Sequence, residues 1–140
     1  MKPDPLEALL RLRRLTADEA RRGLADCLRN EDYATHAVAT IEAEIEREME
    51  AATSLATGDA EVEAFAAWLR RTRPRQRVAH LAEEQAGAET ACARSVLAAA
   101  RAAVQAAEDM VARHAAARRA VDLGHEQQDI DEAAQRCGEH

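Results

Sequence analysis

Between two long periodic stretches the chain reads Thr53-Ser54-Leu55-Ala56-Thr57-Gly58-Asp59. This is the one strong cluster of turn formers before Gly124. Ser, Thr and Asp side chains bond to nearby backbone, and Gly adopts conformations closed to other residues, so one helix ends here and another begins. Gly58 suits a position of positive φ, and Asp59 suits the N-cap of the next helix. The fold class that follows is all-α, with two long helices forming an antiparallel coiled-coil hairpin. The reading is a single coiled-coil domain over 1–140, with helix 1 over about 5–53, the turn over about 54–59 and helix 2 over about 60–136.

The first helix carries an apolar seam in 4-3 spacing: Leu6, Leu10, Arg13, Ala17, Ala20, Leu24, Cys27, Glu31, Ala34, Val38, Ile41, Ile45, Glu48, Ala52, Leu55. Only Arg13, Glu31 and Glu48 are polar. A 3.5-residue period keeps one stripe facing a partner helix and implies a left-handed supercoil. The second helix shows a seam at Val62, Phe65, Leu69 and Thr72, then a weak stretch, then Ala93, Leu97, Ala100, Val104, Ala107, Val111 and His114. Alanine is the best helix former and lets backbones approach, but it buries little area per residue. At 1.5 Å per residue helix 1 spans about 75 Å and helix 2 about 115 Å, so the end of helix 2 overhangs the start of helix 1. Pro3 and Pro5 fit a lead-in and a first helical turn. Pro74 lies inside helix 2, where it removes a backbone donor and crowds the preceding turn. A kink, or a short break, is expected near Arg71–Arg73.

Composition agrees. The 140 residues include one Phe, one Trp and one Tyr, whereas a globular core of this size draws on several large aromatic areas. Ala, Glu, Arg and Leu dominate, as in long helices and coiled coils. The formal net charge is −7, so the chain has no net basic surface for nucleic acid. No apolar run approaches the roughly 20 residues that span a bilayer, and the opening lacks the order of a secretory signal. No membrane insertion is expected. Cys27, Cys92 and Cys137 have no metal-type spacing and suit a reducing cytoplasm.

The hairpin sets residue i near residue 117 − i. Of the acidic run Glu42, Glu44, Glu46, Glu48 and Glu50 and the basic run Arg70, Arg71, Arg73, Arg75 and Arg77, Glu42 then lies level with Arg75, Glu44 with Arg73 and Glu46 with Arg71, while Arg70 falls level with Arg47, a like-charge mismatch. Either these runs pair across the hairpin or both are ordinary solvated faces; residues two apart point to different sides of a helix, so only some levels can touch. The same register brings His36 near His80 and Cys27 near Cys92. Exposed histidines and a seam thiol are the ordinary explanation for these.

No catalytic constellation is visible. There is no Gly-rich phosphate loop, no Cys-x-x-Cys, no closely spaced His pair, and no base placed beside a Ser or Thr nucleophile. The chain reads as a binding protein, not an enzyme, with no cofactor. Val62, Phe65, Trp68 and Leu69 lie within two turns beside the arginine run, and aromatics beside arginines are favoured at partner hot spots. The alternative is that they cap the end of the coiled coil.

The C-terminal stretch Leu123-Gly124-His125-Glu126-Gln127-Gln128-Asp129-Ile130-Asp131-Glu132-Ala133-Ala134-Gln135-Arg136 resembles the closing signature of the FliJ family of flagellar export proteins. Asp131-Glu132 and Ala134-Gln135-Arg136 carry the match. The opening Pro5-Leu6-Glu7-Ala8-Leu9-Leu10-Arg11-Leu12-Arg13 is similar to the family's start. Gly124-His125 and Ala133 depart from the pattern, and Ile45 and Met49 stand where the family has tyrosines. The resemblance implies a flagellar export component, cytoplasmic and peripheral to the inner-membrane export apparatus. It would act as a coiled-coil stalk of the hexameric flagellar export ATPase and as a link to the cytoplasmic domain of the membrane export gate, and would escort export chaperones. It places ATPase binding at Asp131, Glu132, Gln135 and Arg136. It places gate binding in early helix 2, where Phe65, Trp68, Leu69, Arg70, Arg73 and His80 are the candidates. The stalk of a virulence-type secretion system and a generic coiled-coil scaffold are the other readings.

Overall fold

The described residues form two α-helices: α1 over Pro5–Ala52 and α2 over Asp59–Gly138, 48 and 80 residues long. The computed structural model describes residues 2, 4–54 and 58–139. Pro3, Leu55 and Thr57, to which the sequence reading gave parts in the lead-in, the seam and the turn, lie outside the described residues. The two helices pack against each other as an antiparallel hairpin with α2 the longer.

Local chemistry sets the helix starts. Asp4 caps α1: its Oδ1 accepts a hydrogen bond from the Leu6 amide at 3.0 Å, and its carbonyl accepts the Ala8 amide at 3.1 Å. Pro5 follows at the first helical position, where its missing N–H costs nothing. At α2 the cap is Gly58, one residue earlier than expected. The Gly58 carbonyl accepts the Glu61 amide at 3.2 Å, and the Glu61 Oε2 accepts the Gly58 amide at 3.3 Å. Asp59 is therefore the first helical residue, and Glu61 reaches back as in a capping box. No described glycine has positive φ, so Gly58 acts as a cap without entering the left-handed region. α2 is unbroken: it passes through Pro74 without the short break that was one of the two outcomes expected at Arg71–Arg73, and it runs on through Gly124.

The chain divides into two compact units, Glu19–Leu97 and Met1–Asp18 with Ala98–His140. In the first, Ala34, Val38, Ile45 and Ala52 of α1 are buried along with Thr72, Ala86, Thr90 and Leu97 of α2. The stretch of α2 that looked weak completes its seam. Gln76, Ala79, Glu83, Ala86, Thr90 and Ala93 continue the 4-3 spacing from Thr72 to Leu97, and every one is buried or half-buried. Polar side chains hid the seam, not a loss of period. Thr72 and Thr90, only 2% and 1% exposed, meet the cost of burying a hydroxyl by bonding backwards along the helix. Thr72 donates to the Trp68 carbonyl at 3.0 Å. Thr90 shares its proton between the Ala86 carbonyl at 3.0 Å and, across the hairpin, the Cys27 carbonyl at 3.3 Å.

Thr90→Val keeps the volume and removes that bridge. It should lower stability by about 0.5–1.5 kcal/mol in urea unfolding. A variant as stable as the parent would show that the cross-helix bond contributes nothing.

In the second unit Ala17, Ala100 and Ala107 are buried, and Arg14 meets Glu108 at 3.4 Å. That pair is largely exposed and holds the helices only weakly. Val111 is the last residue of α2 with any burial; every described residue from Ala112 to Glu139 is exposed.

Candidate functional site

Three surfaces of the molecule carry chemistry that the folding of the hairpin does not use. The first is an edge of the Glu19–Leu97 unit. Leu69, Arg73 and His80 follow one another at helical spacings and fall on one stripe of α2. The stripe is held against α1 by His80, whose Nε2 lies 3.1 Å from the Glu42 Oε1, an ion pair when the imidazole is protonated. Arg73 donates to the Gln76 Oε1 at 2.8 Å and is otherwise exposed.

The second surface is a groove on the other edge, ≈ 380 Å³ in volume, lined by Glu48, Ala51, Ala52, Glu61, Ala64, Phe65 and Trp68. Phe65 and Trp68 stack with ring centroids 6.1 Å apart and planes inclined by 28°. Both rings are half-buried, as is Leu69, while Val62 is exposed. The aromatics therefore close the end of the helix pair and also line its groove. The six residues proposed from the sequence for gate binding are not one patch. Leu69, Arg73 and His80 share an edge, Phe65 and Trp68 line the groove on the other, and Arg70 is exposed.

The charge runs meet differently from the simple register. Glu42 meets His80 and not Arg75. Among the described residues, none of Arg70, Arg71, Arg73, Arg75 and Arg77 forms an ion pair with the glutamates of α1. Alternation of side chains about a helix sends half of each run away from the other helix, and long exposed side chains gain little by pairing. His36 and His80 also part company: His36 turns outward and its Nδ1 lies 2.9 Å from the Asp32 carbonyl. Opposite Cys27 stands Thr90, and Cys92 is exposed. Among the described residues no group of three or more His, Cys, Asp or Glu side chains could hold a metal ion.

The third surface is the bare end of α2. Val121, Leu123 and Ile130 are 58%, 65% and 62% exposed on a helix with nothing packed against it in its own unit. Leu123 and Ile130 are one heptad apart and share a face, as a seam awaiting a partner would. Asp131, Glu132, Gln135 and Arg136 all lie here and are all exposed. Their bonds are local: Gln127 donates to the Asp131 Oδ1 at 3.0 Å, and Arg136 lies 3.7 Å from Glu132. Such pairs steady an isolated helix by a few tenths of a kcal/mol and leave the side chains free for a partner.

Sequence reasoning missed Val78 and Leu81, 66% and 63% exposed on α2. Their signal was present, as aliphatics three apart beside Pro74, but they lie off the 4-3 seam that pairs the two helices. No described helix is long and apolar enough to cross a membrane.

Comparison with known proteins gives one result. A family model, described as Flagellar FliJ protein, matches residues 1–139. No curated protein and no solved structure matches the chain.

Proposed function

The chain belongs to the FliJ family, whose members are components of flagellar protein export, and from that premise we propose that it is the coiled-coil stalk of the hexameric export ATPase and the link from it to the export gate. The observation that carries this reading is the bare end of α2. A helix exposed from Ala112 to Glu139, with Val121, Leu123 and Ile130 in the open, leaves apolar area in water that only a partner can cover. The ATPase ring covers it, with Asp131, Glu132, Gln135 and Arg136 supplying the polar contacts. The role is non-catalytic: the rod changes the hydrolysis rate by contact, and the nucleotide chemistry stays in the ATPase. It works in the cytoplasm, peripheral to the inner-membrane apparatus, and there it also engages export chaperones.

The link to the gate belongs to the edge of Leu69, Arg73 and His80, with the Phe65–Trp68 stack in the groove on the other edge as a second contact. Arg73 is the sharpest test of that edge, because it is exposed and its one bond is to its neighbour Gln76. Arg73→Glu should weaken binding to the purified cytoplasmic domain of the gate about ten-fold, or about 1.4 kcal/mol, with helix content unchanged. Phe65→Ala with Trp68→Ala should weaken binding too, but with some loss of thermal stability, since both half-buried rings close the end of the helix pair. Undiminished gate binding by both variants would remove this edge and the groove from the site.

A further inference from the structure

We propose that the outward face of α2 from Pro74 to Cys92 seats a third helix, contributed by a partner protein, that is acidic over one part of its contact and basic over the next. Pro74, Val78, Leu81, Gln85, Ala88 and Cys92 follow one another in 4-3 spacing, and all are exposed. They form a second seam on the side of the helix opposite Thr72, Gln76, Ala79, Glu83, Ala86 and Thr90, which face α1. A helix with seams on two sides packs two neighbours, and the hairpin supplies only one. Pro74 and Val78, at the margin of this seam, also border a groove of ≈ 410 Å³ completed by Arg75, Ala79 and Ala82 of α2 and Ile41 of α1.

The charges beside this seam say what covers it. The positions flanking it are Arg70, Arg75 and Arg77 in the first part and Glu84 and Glu89 in the second. Among the described residues the three arginines make no ion pair, and Glu89 is engaged only by Gln85 of its own helix, at 3.1 Å. In coiled coils the flanking charges select the partner. Carboxylates must therefore face Arg70–Arg77, and Lys or Arg must face Glu84–Glu89. An anionic membrane surface fits worse, because Glu84 and Glu89 would repel it along the same face. Pro74 adds a backbone feature: it lacks the amide that would bond to the Arg70 carbonyl, leaving that acceptor one donor short on the outward side. This face is separate from the edge of Leu69, Arg73 and His80 and from the bare end of α2, so it leaves both free.

The test uses the full-length chain and two designed helical peptides with the same Leu/Ile seam. One carries Glu in the flanking positions of its first half and Lys in those of its second; the other carries Lys in all of them. The first peptide should bind at least about ten-fold more tightly by fluorescence titration. Binding should be lost in the double variant Val78→Glu, Leu81→Glu, which stays folded because both positions are exposed. Equal binding of the two peptides, or full binding by the variant, would overturn the proposal. So would a full-length dimer that the same variant dissolves, since a second copy would then be the occupant. The peptides contain no flagellar partner, so failure of the stalk reading would not alter this result.

Discussion

Ile45→Ala should destabilise the hairpin by about 2–5 kcal/mol, measured by urea or thermal unfolding followed by helix content. The reason lies in how little the seam has to offer. Among the described residues its buried apolar side chains are Ala17, Ala34, Ala52, Ala86, Ala100 and Ala107, with Val38, Ile45 and Leu97 the only large ones. Each buried methylene is worth about 0.8 kcal/mol, so a stripe of alanines contributes area slowly and the few large side chains carry a disproportionate share. Natural domains are stable by only about 5–15 kcal/mol, so a loss of that size is a large part of the whole. Leu81→Ala is the matched control. It removes a large side chain that is 63% exposed, and it should change stability by no more than about 0.5 kcal/mol. Ile45→Ala and Leu81→Ala costing the same would mean that the helices are not held by this seam.

Removing residues 131–140 should have the opposite pattern, abolishing binding to the export ATPase while leaving the unfolding midpoint unchanged. The described residues in that segment are exposed, and their bonds reach no further than four residues along α2. Nothing in the packing of the helix pair depends on them, so the truncated chain keeps its seam. On the proposed reading the groups lost to the partner are those of Asp131, Glu132, Gln135 and Arg136. A truncated chain that binds the ATPase as well as the full one would move the contact elsewhere, with the aliphatics of Val121, Leu123 and Ile130 the first place to look. A truncated chain that unfolds at lower temperature would show that the end of α2 is packed and not bare.

The hairpin was legible because heptad spacing and turn chemistry act locally. Leu6 through Ala52 mark one stripe whether or not the partner is known, and Gly58 interrupts the pattern at one place. What escaped depended on detail that periodicity does not carry. The middle of the second seam uses Gln76, Glu83 and Thr90, residues that read as surface until the hydroxyl of Thr90 is seen bonded to Cys27 across the interface. The cap of α2 moved to Gly58 because the carboxylate of Glu61 reaches its amide. The acidic and basic runs are real in sequence, but a helix turns about 100° per residue, so a comb with teeth two apart faces no single neighbour. For the same reason Trp68 and Leu69, adjacent in the chain, ended on different edges. The end of α2 was readable as a site only through its likeness to the family's closing signature. The structure adds a physical reason to look there, which is that this length of helix is exposed on all sides.

The central claim is that this hairpin works by contact with the export ATPase. The most direct measurement is the hydrolysis rate of the cognate purified flagellar export ATPase as the full-length chain is titrated in. The account predicts a saturable, dose-dependent rise that the chain lacking residues 131–140 does not produce. An unchanged rate, together with no detectable binding, would contradict it.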